Sequence, residues 1–152
     1  MPSAFLRTRL EGQLDSLSFA LGASREEALG RRPPSGKWSA HENLAHLARH
    51  HEVFLERLRR ILDEDRPDLG RYRAEEDPCW PAWTAVPTRE VLARLTALRA
   101  EIIRFVGRLS PEQLARVGVH PKLGPMTIPD WLEFFLLHEA HHLYVIAGLA
   151  RG

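Results

Sequence analysis

Cysteine is almost missing from this chain: Cys79 stands alone. One thiol excludes an internal disulfide framework and a cysteine-rich zinc site. Lysine is nearly as scarce, with only Lys37 and Lys122, and the net charge of +1 leaves no electrostatic footprint for nucleic acid. No stretch approaches the roughly 18 to 20 uninterrupted apolar residues of a membrane span. The opening MPSAFLRTRLEGQ lacks the apolar core of a signal peptide, so a cytoplasmic location is expected. Convincing period-two alternation is also absent, and with it the mark of a sheet protein. With 44% hydrophobic and 27% charged residues, the 152 residues suit one globular domain spanning 1–152.

Histidine is what the chain has instead, eight in all. The run from Thr127 to Leu149 places His138 and His142 four residues apart in an apolar helical segment, on one face with Trp131, Phe135, Val145 and Leu149. Buried imidazoles need partners, and a divalent metal held between i and i+4 histidines supplies one; hydrogen-bonded core histidines are the structural alternative. His138-Glu139-Ala140-His141-His142 also fits H-E-x-x-H, in which the Glu139 position serves as a catalytic base. Zincins take their third ligand downstream, yet none of the ten residues after His142 is His, Asp, Glu or Cys. A third ligand has to come from upstream.

Apolar positions from Phe5 to Leu21 keep helical spacing over 3–22, and Ser24 to Glu27 has the form of a capping box opening a short helix. Ser39-Ala40-His41-Glu42 opens a second long helix that runs to about Asp65 and holds His41, His46, His50 and His51. Residues 66–87 are proline-rich and carry Trp80 and Trp83 beside Cys79, a long connection expected to pack over something. A third helix is expected over 88–109, a short one at Ser110-Pro111-Glu112-Gln113, and a Gly/Pro-rich passage over 118–125 before the last helix. Four long amphipathic helices with long connections after the first three predict an all-α four-helix bundle, in which metals and ligands sit between facing helices. The His46–His51 cluster is the natural upstream source. At about 100° per residue, His51 lies near the centre of the apolar stripe, His50 on its flank and His46 further round, more than about 100° from the centre, so periodicity alone would not select His46.

Arg32-Pro33-Pro34-Ser35-Gly36-Lys37-Trp38-Ser39-Ala40-His41-Glu42-Asn43-Leu44-Ala45-His46-Leu47, then His120 to Thr127, then His138-Glu139-Ala140-His141-His142-Leu143, resembles the DinB/YfiT-like superfamily. The resemblance covers nearly the whole chain and implies a four-helix bundle, often a homodimer. It implies one divalent metal per chain on His46, His138 and His142, nickel and zinc both suiting imidazole. For activity it implies transfer of a low-molecular-weight thiol such as bacillithiol or mycothiol onto an electrophile, with metal-dependent hydrolysis as the alternative. The family's motif ends in a Gln near a position where this chain has Val145. Three histidines with an open position form a catalytic rather than a structural ligand set. Glu42 and Glu139 are candidates to orient a ligand or carry a proton, and Trp80, Trp83 and Tyr144 to line a pocket for a small-molecule substrate. A di-iron protein would need a second Glu-x-x-His motif; a non-catalytic metal-binding bundle remains the third class.

Overall fold

The computed structural model describes residues 2–152. The amino-terminal arm is α1 (Ala4–Gly12), a 3-10 turn (Gln13–Asp15) and α2 (Ser16–Leu21), nearly continuous and closed by Gly22 at φ +54°. Next come α3 (Glu26–Gly30), α4 (Ala40–Asp63), α5 (Trp80–Ala85), α6 (Thr88–Gly107) and α7 (Pro111–Leu114). A two-stranded hairpin, β1 (Val117–His120) and β2 (Gly124–Thr127), leads into α8 (Ile128–Arg151). The α1–α2 arm, α4, α6 and α8 make a four-helix bundle in which α4 packs against both α6 and α8. Among the described residues no helix is long and apolar enough to cross a membrane.

Local chemistry sets the ends of the two helices that matter most. At α4, the Ser39 hydroxyl accepts from the Glu42 amide at 3.1 Å and the Glu42 carboxylate accepts from the Ser39 amide at 2.8 Å. That exchange satisfies two of the donors a helix start leaves open. Thr127 and Asp130 make the same exchange at α8, where a proline in the first turn removes a donor that had no partner anyway. The far end of α4 is held by Arg116, which donates to the carbonyls of Ile61 at 2.7 Å and Glu64 at 2.6 Å.

Two expectations need correction. Ser24 caps no helix: α3 starts after Arg25 without a side-chain cap, and the Ser24 hydroxyl reaches the Ala150 carbonyl at 3.0 Å. The 118–125 passage is not a loose bridge but an antiparallel hairpin pairing Val117 with Thr127 through His120 with Gly124. Its strands are four residues each, too short to show a period. Gly118 is needed there, because a Cβ would lie 2.8 Å from side-chain atoms of both Ile61 and Leu69.

The core has two apolar clusters. One joins Leu6, Leu10, Phe54, Leu58, Ile102 and Trp131; the other joins Ala20, Leu44, Leu47, Leu95, Leu143 and Ile146. On each long element the residues between the clusters are polar: Gln13, His51, Arg99 and Glu139. Arg99 forms an ion pair with Glu139 and donates to the Leu10 carbonyl at 2.6 Å and to His51 Nε2 at 3.2 Å. Gln13 donates to Glu139 at 2.8 Å, and the His51 Nδ1–H donates to the Leu47 carbonyl at 2.7 Å. A buried ion pair persists when its remaining donors and acceptors are filled, as they are here.

Candidate metal centre

The packing of α4 on α8 brings His46 against the His138–His142 pair. The Nε2 atoms of His46 and His138 lie 3.0 Å apart, and one ring nitrogen from each of the three histidines falls within 4.8 Å of the others. His142 has its Nδ1 engaged by the Asn43 Oδ1 at 2.8 Å, which leaves Nε2 to face the cluster. Two imidazole nitrogens that meet head-on, with a third beside them, need a proton or a cation between them. Burial, reinforced by the neighbouring histidines, holds His46 down to about 3, His138 to about 2 and His142 to about 4. All three are therefore neutral at pH 7, with lone pairs free to coordinate. The donor set fits one divalent ion such as zinc or nickel.

The surroundings are aromatic. Trp38 lies with its ring centroid 5.1 Å from that of His46 and 4.9 Å from that of Trp80. Tyr72 stacks on His46 at 5.8 Å with ring planes 16° apart. Tyr72 is held by its hydroxyl, which donates to Asp77 at 2.7 Å, and Asp77 in turn accepts from Arg49 of α4 at 2.7 Å. Burial alone would raise the Asp77 carboxyl; hydrogen bonds from Arg49, the Cys79 amide and Tyr72 outweigh it and hold the group down to about 2. A cavity of about 640 Å³ opens over the three histidines, between Trp38, Tyr72 and Phe134.

Comparison with known proteins agrees with this architecture. The model of the DinB superfamily matches residues 9–146. This chain belongs to the DinB superfamily. Among its relatives is the protein YuaE of Bacillus subtilis, 26% identical over 145 residues, which cover 88% of this chain and 89% of that one. Another, from Oceanobacillus iheyensis, bears the name "putative metal-dependent hydrolase"; it is 26% identical over 122 residues, 77% of this chain and 67% of that one. Of solved structures, YfiT from Bacillus subtilis, described as a probable metal-dependent hydrolase with an unusual four-helix bundle topology, superposes with a TM-score of 0.80. Its identity is 22%, over 97% of this chain and 85% of that one, a likeness of fold. The four-helix bundle protein TT2238 superposes with a TM-score of 0.65 at 25% identity, over 93% of this chain and 94% of that one.

In this DinB-superfamily chain the other residues singled out from sequence are placed as follows. His50 lies one turn from His46 with its ring 4.2 Å from that of His138, and its Nδ1, like those of His46 and His138, is buried without a hydrogen-bond partner among the described residues. His51 is in the Arg99–Glu139 layer, His41 bonds Thr88 and the Thr84 carbonyl, and His141 is exposed. Glu139 is fully buried and tied to Arg99 and Gln13, so it does not join the three imidazoles. Glu42 is occupied by Arg32 at 2.5 Å and by the helix cap. Trp80 backs Trp38, Trp83 is buried under Arg94 and Tyr144 is 82% exposed; none of the three lines the cavity. Cys79 is exposed. Two positions that carry the site were not singled out: Asn43, which orients His142, and Tyr72, which covers His46. Asn43 sits one turn before His46 in a capped helix, a position from which it can reach a neighbouring helix; nothing local distinguishes Tyr72.

Proposed function

We propose that this chain is a metal-dependent transferase that activates a low-molecular-weight thiol for attack on an electrophilic carbon, with His46, His138 and His142 holding one divalent ion. The observation that carries this reading is three neutral imidazoles converging beneath a cavity of about 640 Å³ with no carboxylate among them. A divalent ion held there would supply a thiolate at neutral pH. The two carboxylates nearest the ligands in sequence, Glu42 and Glu139, are both committed to arginines, and Glu75, the carboxylate that lines the cavity, is exposed to solvent. Cleaving an amide or ester calls for a group that delivers a proton to the departing atom, whereas alkylation of a thiolate calls for none. Asn43 holds the His142 ring in one tautomer, and Trp38 and Tyr72 restrict water around the cluster. A small-molecule electrophile and a homodimeric assembly complete the proposal.

The Oceanobacillus relative's name favours a second reading, hydrolysis by an activated water in the same centre. One assay separates the two. Metal-loaded protein is offered monochlorobimane with bacillithiol, mycothiol, glutathione or cysteine, beside His142→Ala. Conjugation that needs both the thiol and an intact His142 supports the transferase. Metal-dependent cleavage of esters or amides without thiol supports the hydrolase. Turnover in neither arm leaves a non-catalytic metal-binding bundle.

A further inference from the structure

Charge is distributed unevenly around the cavity. Arg57, Arg71, Arg73, His120 and Lys122 line it, against a single carboxylate, Glu75. The four cations, Arg57, Arg71, Arg73 and Lys122, come from α4, the loop after it and the turn of the hairpin, and His120 ends the first strand beside them. Arg57 lies eleven residues beyond His46 on α4, about 16 Å along the helix axis. The cations thus line the part of the cavity away from the start of α4, beyond the turn that carries His46.

Arg57 is the anchor. It is only 7% exposed, its guanidinium lies 5.5 Å from the Trp131 ring, and it donates to the Gly70 carbonyl at 3.1 Å. Among the described residues no carboxylate lies within ion-pair distance of it; burial lowers its pKa from the usual arginine value, and the charge of Glu56 opposes that only in part. A buried guanidinium without a carboxylate in contact is costly to keep, and one that borders a cavity is a recurrent device for gripping a planar anion. Neither Arg71 nor Lys122 forms an ion pair among the described residues, and both are exposed at the rim. His120 adds a donor. Its Nδ1 accepts from the amides of Lys122 at 3.1 Å and Leu123 at 3.0 Å, which puts the ring proton on Nε2.

We propose that Arg57, Arg71, His120 and Lys122 form an anion subsite that binds a carboxylate or phosphate group of a small molecule whose other end lies over His46, His138 and His142. The inference rests on the cavity being the site of reaction, and it restricts the ligand to molecules with an anionic group remote from the reacting atom. An oxyanion there meets a forked donor from Arg57 and mobile charges from Arg71 and Lys122.

The test is calorimetric titration of the zinc-loaded protein with succinate and with phenyl phosphate, repeated on Arg71→Ala, on Lys122→Ala and on Arg104→Ala, an exposed arginine of α6 that does not line the cavity. The two variants at the rim avoid disturbing the buried Arg57. The expected result is saturable binding of at least one probe, weakened about tenfold by Arg71→Ala or by Lys122→Ala, and weakened further by added salt. Arg104→Ala should keep the anion within about twofold, because it removes the same charge away from the cavity. Preference for succinate identifies a carboxylate ligand and preference for phenyl phosphate a phosphate ester; either supports the subsite. No binding of either probe, or binding unchanged in both rim variants, overturns it. Anion binding without metal uptake by the wild-type protein would sink the proposed function and leave the subsite standing. Thiol conjugation by a protein that binds neither probe would do the reverse.

Discussion

Asn43 and His142 fix one another: the His142 Nδ1–H donates to the Asn43 Oδ1 at 2.8 Å, while the Asn43 amide nitrogen donates to the Ser39 carbonyl at 2.8 Å. The second bond decides which way the amide faces, and the first decides which imidazole nitrogen is left for a metal. A residue in the first turn of α4 thereby sets the tautomer of His142 on α8.

Replacing Asn43 by Ala should lower metal affinity by about 10- to 100-fold, the usual consequence of removing a group that orients a ligand. Competition with a chromophoric zinc chelator measures it. Asn43→Asp, which retains an acceptor for His142, should lose less. Equal affinity in all three proteins would show that the ring needs no such support.

Metal content should follow the three converging nitrogens. The purified protein is expected to hold about one divalent ion per chain, and His46→Ala, His138→Ala or His142→Ala should remove it. His41→Ala should retain it, since His41 bonds Thr88 and the Thr84 carbonyl instead. Elemental analysis decides the matter. Loss of metal in His50→Ala with retention in His46→Ala would transfer the third ligand to His50, whose ring lies 4.2 Å from that of His138.

Glu139 and Arg99 should behave as structure rather than chemistry. Either single replacement, Glu139→Ala or Arg99→Ala, leaves a buried charge without its partner, a change that costs roughly 3–5 kcal/mol. The double variant Arg99→Met/Glu139→Leu should cost clearly less than either and should keep its metal. Urea unfolding monitored by circular dichroism provides the comparison. A double variant as unstable as the singles would mean that the layer does more than satisfy its own charges.

Acid should destabilise the metal-free protein well before its carboxylates titrate. His51 and His46 are held to about 3, and His142 to about 4, against 6.5 in the unfolded chain, with burial the leading cause in each. Below pH 6.5 the unfolded state therefore binds protons that the folded state refuses, so stability falls as pH drops toward 4. Each such histidine contributes a slope of about 1.4 kcal/mol per pH unit within its window. The melting temperature measured from pH 7 to pH 4 should decline steadily, and a flat profile would contradict burial of neutral imidazoles.

Much of the bundle is legible in the sequence because its rules are local. Ser39 with Glu42, Ser110 with Gln113 and Thr127 with Asp130 each mark a helix start, and Gly22 marks an end. The i, i+4 pair on α8 is equally local. The position of His46 is not. It lies off the aliphatic stripe of α4, yet it is 6% exposed, because the face it shares with His50 is closed by Trp38 and Tyr72 from outside the helix. Glu139 stands apart from the three imidazoles for the opposite reason. One residue beyond His138 on the helix is turned about 100° away, and that turn carries Glu139 into contact with Arg99 from α6. The hairpin escapes notice because tertiary contacts with Ile61 and Leu69, not alternation, hold it in place.

The loop after α4 and the hairpin before α8 are stitched together: the Leu69 amide donates to the Val119 carbonyl at 3.1 Å, and the Val119 amide to the Pro67 carbonyl at 2.8 Å. One strand of this clasp leads to Arg71 and Tyr72, the other to His120 and Lys122. The two segments therefore hold their positions as one unit. A chimera that exchanged only one with a relative would break the seam and misplace both walls, whereas exchanging both would carry a complete specificity surface onto an unchanged histidine frame.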